Sequence, residues 1–173
     1  MEIKLFITDI DGVWTDGSMY YDQTGNELKR FHTYDSAGVL FLRLLDIPTA
    51  IITGEDTEIV GRRAAKLKIP YVFQGIKDKV GVADKLRQEL KLSWEEIAYI
   101  GDDINDIDLL AKVGLSAAPA NAPDYIKNKV NWSLNTPGGQ GAFRAFVERY
   151  LDKHGLLNSC LEKYAAQKKQ FKQ

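Results

Sequence analysis

The sequence predicts an α/β fold in which a parallel β-sheet lies between two layers of helices. Short apolar runs rich in β-branched residues, such as residues 3–8 and 48–52, alternate along the chain with segments of helical periodicity. Because parallel strands are joined by crossover helices, this alternation predicts a sheet that is covered on both faces. No internal repeat or linker interrupts the 173 residues, so we expect one domain of ordinary size with a substantial core.

The predicted strands and helices follow one another regularly from residue 3 to residue 153. Asp35 and Ser36 indicate a capped helix start, Gly114 indicates a helix end, and Ser93 with Glu96 forms a capping box at a short turn. The predicted strands are 3–8, 48–52, 71–73, 98–100, 115–118 and 130–133, and the predicted helices are 37–45, 57–68, 77–90, 107–113, 122–128 and 142–153. This order is typical of a three-layer, Rossmann-like sheet.

A β-hairpin is predicted between the first strand and the first helix. Residues 19–21 and 28–31 flank a polar segment that contains Gly25, which is the pattern of a hairpin with a glycine turn. The hairpin carries aromatic residues and would protrude from the parallel sheet. Two interpretations stay open: an exposed flap, or a contact between subunits, since an open hairpin edge favours pairing.

Composition narrows the possible classes of protein. Apolar residues make up 45% of the chain and charged residues 27%, and the formal net charge is −1. These values predict a globular protein without the long-range field that would attract nucleic acid or an acidic membrane. The single cysteine, Cys160, cannot form an internal disulfide, and no secretory signal or membrane-spanning run is apparent. We therefore expect a cytoplasmic protein.

The C-terminal residues differ in composition from the rest of the chain. From Asn158 onward the sequence is rich in lysine and glutamine, which predicts a frayed end. We accordingly expect a folded domain over residues 1–155 and a tail over residues 156–173.

Two carboxylates, Asp9 and Asp11, directly follow the first predicted strand. Chemistry in open α/β sheets collects at the carboxyl ends of the strands, and two close carboxylates repel each other unless a cation or a proton intervenes. An acidic Asx turn is the simpler interpretation. A calcium-binding loop is a third, but its spacing fails, because Trp14 and Tyr20 occupy the positions of its glycine and its closing glutamate.

Polar groups also follow two later strands. Thr53 follows the second strand, Lys79 stands near the start of a later helix, and Gly101-Asp102-Asp103-Ile104-Asn105-Asp106 follows the fourth strand. Each group alone is common in turns or on helix surfaces, but their order along one α/β chain is specific. The pattern resembles the haloacid dehalogenase superfamily of phosphotransferases, whose signature is Asp-x-Asp, then Thr or Ser, then Lys, then Gly-Asp-Asp-x-x-Asp. The resemblance extends to about Tyr150.

The resemblance implies a role for each residue in phosphoryl transfer. Asp9 would be the nucleophile that becomes an aspartyl phosphate, and Asp11 would be the general acid and base. Mg²⁺ would be held by Asp9, Asp102 and the backbone carbonyl of Asp11. Thr53 and Lys79 would hold the phosphoryl oxygens. Three residues would orient metal waters or Lys79: Asp103, Asn105 and Asp106.

The chain has no segment long enough for a cap domain, and this absence indicates which branch of the superfamily it resembles. The gap after Asp11 fits only a hairpin, and the gap from Thr53 to Lys79 fits one helix and one strand, so neither holds a cap domain of usual size. This layout resembles the cap-less branch that dephosphorylates phosphorylated 3-deoxy-2-keto sugar acids. The resemblance implies a homotetramer assembled through the hairpin, in which residues 138–144 approach a neighbouring active site.

One position predicts the length of the substrate. Glutamate in Thr53-Gly54-Glu55 is similar to phosphatases of nine-carbon nonulosonate 9-phosphates, such as 2-keto-3-deoxynononate or N-acylneuraminate 9-phosphate, whereas octulosonate phosphatases tend to carry arginine there. Arg63 and Lys66 lie on one face of the following helix and would bind the substrate carboxylate, or else belong to a solvated basic face. Hydrolysis of 3-deoxy-manno-octulosonate 8-phosphate is the alternative with the same chemistry.

Two functions of other classes also fit part of the pattern. A phospho-receiver domain combines paired acids, Thr, Lys and Mg²⁺, but its phosphorylated aspartate follows a later strand than Asp9 does. A regulatory subunit with an inactive site is the other, and the intact motifs argue against it.

Overall fold

The structure is a computed structural model of the chain and describes residues 2–170. Its strands are β1 (Leu5–Thr8), β2 (Tyr20–Tyr21), β3 (Glu27–Leu28), β4 (Thr49–Ile52), β5 (Tyr71–Phe73), β6 (Ile97–Ile100), β7 (Leu115–Ala118) and β8 (Trp132–Ser133). Its α-helices are α1 (Asp35–Leu44), α2 (Glu58–Leu67), α3 (Lys79–Glu89), α4 (Ile107–Leu110), α5 (Asp124–Lys127), α6 (Ala142–Lys153) and α7 (Leu157–Gln170). Short 3₁₀ turns cover Trp94–Glu96 and Ile104–Asp106.

Six of these strands form one parallel sheet in the order β5-β4-β1-β6-β7-β8. The first strand lies in the centre, where Phe6 is paired with Thr49 on one side and with Ala98 on the other. Counted in chain order among the parallel strands, the arrangement is 3-2-1-4-5-6, in which the strand order reverses beside β1. The predicted Rossmann-like parallel sheet is therefore confirmed.

Side chains of β1 alternate between two separate apolar cores. Phe6 packs on one face of the sheet with the buried residues of α1, α2 and α6, including Leu42, Val60 and Phe146. Leu5 and Ile7 belong to the opposite core, together with residues of α3, α4 and α5. Burial on both faces explains why the strands are continuously apolar, and it confirms the three layers.

The hairpin of β2 and β3 is confirmed and lies outside the main sheet. It is the only secondary structure between β1 and α1, and only α2 and β5 stand between β4 and α3. The described residues thus contain no cap domain. None of their helices combines the length and apolar character needed to cross a bilayer.

Three local expectations need correction. Helices α4 and α5 are shorter than the periodicity predicts, and Pro123, with an extended backbone, precedes α5. Asp35 does not cap α1; its carboxylate instead accepts a hydrogen bond from the Arg144 N–H in the first turn of α6 (3.1 Å). The cap residue of α6, Gly141, has no side chain, so Asp35 supplies the acceptor that this helix start lacks.

The predicted frayed tail is also wrong over most of its length, because α7 forms there. Cys160 is fully buried in the core beside α1. Lys163 donates a hydrogen bond to the Leu44 carbonyl at the end of α1 (2.9 Å). The apolar Leu156 and Leu157 pack against the same core. Residues 171–173 lie outside the described residues, and the domain boundary at residue 155 stays a prediction.

Candidate active site

The carboxyl ends of β1, β4 and β6 meet at one cleft of about 280 Å³. The reversal of strand order beside β1 opens this crevice, and the residues that follow the three strands lie along it. A cavity of about 230 Å³ at the opposite end of β4 has no paired carboxylates. The cleft is lined by Asp9, Asp11, Gly12, Gly17, Met19, Thr53, Gly54, Glu55, Asp102, Asp103 and Asn105.

The loop after β1 passes very close to the end of β6. Gly12 has a φ angle of +82°, and a Cβ atom there would overlap the Asp102 carboxylate. Glycine is therefore required at this position for two reasons, the left-handed backbone and the close approach. The approach brings the Asp-x-Asp segment and Asp102 to opposite sides of one small space.

Two later segments, one at Asn121 and one at Gly138 and Gly139, hold the loop of Gly12 in place. The Asn121 side chain donates a hydrogen bond to the Gly12 carbonyl (3.0 Å) and accepts one from the Gly138 N–H (2.6 Å). The Gly139 N–H donates to the Val13 carbonyl (3.1 Å). Gly138 and Gly139, at the start of the segment 138–144 that the resemblance places near a neighbouring active site, thus pack against the Asp-x-Asp loop of their own chain.

Lys79 is buried between two carboxylates. Its Nζ lies 2.6 Å from Asp106 Oδ1 and 3.1 Å from Asp9 Oδ1. Burial lowers the pKa of Lys79, but the charges of Asp9 and Asp106 outweigh burial, so that the net shift is upward. The ammonium therefore stays charged beside Asp9, where a phosphoryl group would need a cation.

Asp106 supports this arrangement and has no oxygen free for a metal. One oxygen, Oδ1, accepts from Tyr99 OH (2.5 Å) as well as from Lys79. The other, Oδ2, accepts from the backbone N–H groups of Asp102 and Asp103 (2.9 and 3.1 Å). Although oxygens of Asp9, Asp102 and Asp106 lie within 4.8 Å of one another, the Asp106 carboxylate is already satisfied. Its position fits an orienting role.

Asp9 and Asp102 have the unsatisfied oxygens that suit a divalent cation. Asp9 Oδ1 and Asp102 Oδ1 are buried and accept no well-aligned hydrogen bond. Burial and the Asp106 charge raise the pKa of Asp9 to about 7, and burial and the Asp9 charge raise the pKa of Asp102 to about 8. Both carboxylates are thus poorly compensated by the protein alone, and hard oxygen donors of this kind fit Mg²⁺.

Asp103 and Asn105 both line the cleft. Asp103 forms a capping box with Asp106 and accepts a hydrogen bond from the Ile104 N–H (2.7 Å). The side chain of Asp103 thereby shapes the turn that carries Asp102. The predicted orienting residues are brought together at one turn.

The structure places only some of the predicted substrate-binding residues at the cleft. Thr53, Gly54 and Glu55 line the cleft. Arg63 and Lys66 are not among the lining residues; the Arg63 guanidinium donates to Ser36 Oγ (2.9 Å) and to the His32 carbonyl (3.3 Å). Arg63 thus braces the segment before α1, and its substrate contact, like that of Lys66, stays a prediction.

Several contacts of the site are not predicted by the sequence. Lys29 Nζ lies 2.7 Å from both carboxylate oxygens of Asp11, while Tyr99 and Asn121 hold Asp106 and Gly12. The only sequence signal for Tyr99 is its place one residue before the last residue of β6. Asn121 gives no signal, since its partners are far away along the chain.

Comparison with known proteins agrees with this geometry. Residues 69–145 match the haloacid dehalogenase-like hydrolase family. The chain is 42% identical over 153 residues to the 3-deoxy-D-manno-octulosonate 8-phosphate phosphatase of Haemophilus influenzae, covering 88% of this chain and 85% of that protein. The chain belongs to the haloacid dehalogenase superfamily.

Solved structures of this superfamily place the chain in its cap-less sugar-acid phosphatase branch. A cobalt-bound octulosonate 8-phosphate phosphatase of H. influenzae has a TM-score of 0.85 at 42% identity, covering 89% of this chain and 90% of that one. The octulosonate 8-phosphate phosphatase of Moraxella catarrhalis, in complex with magnesium, phosphate and the sugar acid KDO, has a TM-score of 0.90 at 31% identity, covering 94% and 93%. The resemblance inferred from the motifs is thus confirmed.

The raised pKa values of Asp9 and Asp102 predict how metal binding depends on pH. Since these values lie above the ordinary 3.8, the metal-free folded state binds more protons than the unfolded state, and its stability falls as pH rises from about 4 to about 8. Saturating Mg²⁺ should therefore raise Tm more at pH 8 than at pH 5, as measured by differential scanning fluorimetry.

One variant tests the assignment of Asp102 in this measurement, and a second variant is its control. Asp102→Asn should remove most of the Mg²⁺ effect, whereas Asp108→Asn, at an exposed position of α4, should keep it. An equal Tm shift at the two pH values, or a full shift in Asp102→Asn, would contradict the assignment.

Proposed function

We propose that this protein is a Mg²⁺-dependent phosphatase that hydrolyses a phosphorylated 3-deoxy-2-keto sugar acid. The observation that carries the proposal is the convergence of Asp9, Asp11, Thr53 and Asp102 on one cleft, with Lys79 directly behind Asp9. A phosphate monoester resists attack by an anion until its oxygens are neutralised. The cleft supplies a nucleophile together with groups that neutralise the negative charge on the phosphate oxygens.

The proposed reaction has two steps. A carboxylate oxygen of Asp9 attacks phosphorus, the bond to the sugar oxygen breaks, and that oxygen takes a proton from Asp11. A water molecule then attacks the aspartyl phosphate and gives a proton to Asp11, which releases inorganic phosphate and restores both side chains. Thr53 and Lys79 hold the phosphoryl oxygens during the transfer.

The cofactor of the proposed reaction is Mg²⁺. Asp9, Asp102 and the backbone carbonyl of Asp11 would hold it, which gives a counter-charge to the buried Oδ1 atoms of Asp9 and Asp102, neither of which accepts a well-aligned hydrogen bond. When bound, Mg²⁺ supplies positive charge to the phosphoryl oxygens. Asp103, Asn105 and Asp106 keep the ligands and Lys79 in place.

The proposed substrate is the eight-carbon 3-deoxy-manno-octulosonate 8-phosphate. Relatives from H. influenzae, Yersinia pestis and Escherichia coli that are 36–42% identical to this chain carry that activity in their names. These names favour the octulosonate over the nine-carbon substrate that Glu55 predicts. The match covers 80–85% of the length of these relatives, so a substrate of the same class fits.

A nine-carbon sugar-acid 9-phosphate is the second candidate, and Glu55 favours it. Glu55 is exposed within the cleft lining, next to Thr53 and Gly54. A carboxylate there accepts hydrogen bonds from sugar hydroxyls but repels a substrate carboxylate. A longer substrate would present hydroxyls rather than its carboxylate at this point.

The proposed assembly is a homotetramer, and the hairpin supports it. Several large apolar side chains of the hairpin are exposed in the single chain: Met19, Tyr20, Tyr21 and Leu28. Clustered exposed apolar groups are typical of interaction surfaces. Neighbouring chains would then exclude water from a cleft that has no cap of its own. Cytoplasmic location stays a prediction.

Asp9→Asn tests the nucleophile. The amide keeps the shape of the side chain but cannot attack phosphorus, so hydrolysis of octulosonate 8-phosphate with Mg²⁺ should fall by about 10⁴-fold or more. Release of inorganic phosphate measures the rate, and Asp108→Asn is the control that should keep it. Substantial turnover by a folded Asp9→Asn protein would remove Asp9 from this role.

Glu55→Arg tests the choice of substrate. We expect the wild type to have the higher kcat/KM for the eight-carbon ester. Reversing the charge at the cleft lining with Glu55→Arg should change the ratio of the two kcat/KM values by about tenfold, which corresponds to about 1.4 kcal/mol. Glu58→Arg, at an exposed position outside the cleft lining, should leave the ratio unchanged. A wild-type preference for the nine-carbon ester would favour the second candidate.

A further inference from the structure

Lys29 faces the body of the protein from the base of the hairpin. Leu28 is 66% exposed and the Arg30 side chain 61% exposed, whereas the Lys29 side chain is fully buried and Phe31 packs against the core. This alternation is that of an extended chain whose every second residue points inward. The inward position next to the catalytic loop is thus occupied by an amine.

The Lys29 ammonium forms a close ion pair with Asp11. Its Nζ lies 2.7 Å from both oxygens of the Asp11 carboxylate, and 3.9 Å from Glu27 Oε1. Burying an ammonium group destabilises the folded protein unless a counter-charge lies next to it. Since Asp11 supplies the close contacts, the pair stabilises one relative position of hairpin and carboxylate.

Hydrogen bonds order the turn of the hairpin internally and tie the segment after the hairpin to α2, which limits the movement of Lys29. At the tip, Asp22 accepts hydrogen bonds from the backbone N–H groups of Thr24 and Asn26 (2.8 and 2.9 Å). At the base, Arg63 holds the His32 carbonyl. The ammonium is therefore presented to Asp11 by a braced segment.

Asp11 has few other constraints. Thr15 Oγ1 donates to Asp11 Oδ1 at 3.3 Å, a long contact, and the remaining acidic residues of the cleft lining repel the carboxylate: Asp9, Glu55, Asp102 and Asp103. Without Lys29, this repulsion would act on a carboxylate whose remaining contact among the described residues is the long one from Thr15. A proton donor must lie within hydrogen-bond reach of the leaving oxygen.

We propose that Lys29 is a positioning residue that holds the Asp11 carboxyl group in the orientation needed to protonate the leaving sugar oxygen. The inference rests on the proposed function, in which the phosphorus–oxygen bond to the sugar breaks as a proton moves from Asp11 to that oxygen. Lys29 neither gives nor takes this proton. It keeps the donor aligned and links the hairpin to the chemistry of the site.

Lys29→Met tests the role through the leaving group. The sugar oxygen of octulosonate 8-phosphate needs a proton, but the p-nitrophenolate of p-nitrophenyl phosphate leaves as a stable anion. Because kcat/KM reports phosphoryl transfer to Asp9, Lys29→Met should lose about 30-fold or more on the sugar ester and less than about 3-fold on the aryl ester, given that acid catalysis contributes about 10²- to 10⁴-fold.

Chemical rescue separates the ammonium from the fold. In Lys29→Cys, 2-bromoethylamine attaches an aminoethyl group to the new thiol and should restore most of the lost kcat/KM on the sugar ester. The wild type treated in the same way is the control for the native Cys160, which contacts α1 through the Phe41 carbonyl and does not line the cleft, and its kcat/KM should stay unchanged. Arg30→Met removes an outward charge from the neighbouring residue and should affect both esters alike and weakly.

The outcomes distinguish the claims. A loss concentrated on the sugar ester, with rescue, supports the role. An equal loss on both esters, no loss, or no rescue would overturn it. Failure of the wild type to hydrolyse either ester with Mg²⁺ would instead overturn the proposed function, and the role of Lys29 with it.

Discussion

Repulsion between the buried carboxylates of Asp9 and Asp102 is the constraint on which the rest of the site depends. Asp102 Oδ1 accepts no hydrogen bond, and Asp9 Oδ1 has the Lys79 ammonium 3.1 Å away but no well-aligned hydrogen bond. Burial raises the pKa of both carboxylates, and the charge of Asp106 adds to the shift of Asp9 as the charge of Asp9 adds to that of Asp102. A protein would not keep such a pair for stability alone, because buried charges that are incompletely compensated are costly. The arrangement is explained if a divalent cation shares the two carboxylates.

The fold meets this constraint through topology first and local contacts second. The reversal of strand order beside β1 places the ends of β1 and β6 next to each other, and Gly12 permits the close approach of the first loop to Asp102. Asp106 then uses both oxygens to join Lys79, Tyr99 and the turn after β6. The Asp106 carboxylate, with both oxygens hydrogen-bonded, thereby positions the Lys79 ammonium beside Asp9 and also positions the backbone that carries Asp102.

The two lysines of the site form ion pairs with different carboxylates. Lys79 is buried beside Asp9, the proposed nucleophile, whereas Lys29 extends from the hairpin and contacts Asp11. The hairpin thus has a contact inside its own chain in addition to its proposed role in assembly. It brings a charged group to the Asp-x-Asp loop, and residues 2–170 contain no cap domain that could do so.

The sequence predicts the parts of the structure that local patterns determine. Apolar strand runs and the polar residues that follow them were sufficient to predict the sheet, its layers and the convergence of Asp9, Thr53 and Asp102. Contacts between distant segments could not be predicted. Lys29 gives only a weak signal by alternation, and the lysine-rich sequence after Asn158 conceals a helix whose Cys160 is buried by tertiary packing. Substrate length depends on side chains such as Glu55, whose partners lie outside the chain.

A crystal structure with Mn²⁺ in place of Mg²⁺, with the metal located by anomalous scattering, tests the central claim most directly. The account predicts one ion bound by carboxylate oxygens of both Asp9 and Asp102, with the Asp106 carboxylate still bonded to Lys79 and Tyr99. An ion bound elsewhere, or one that takes Asp106 as a ligand in place of Asp102, would contradict it.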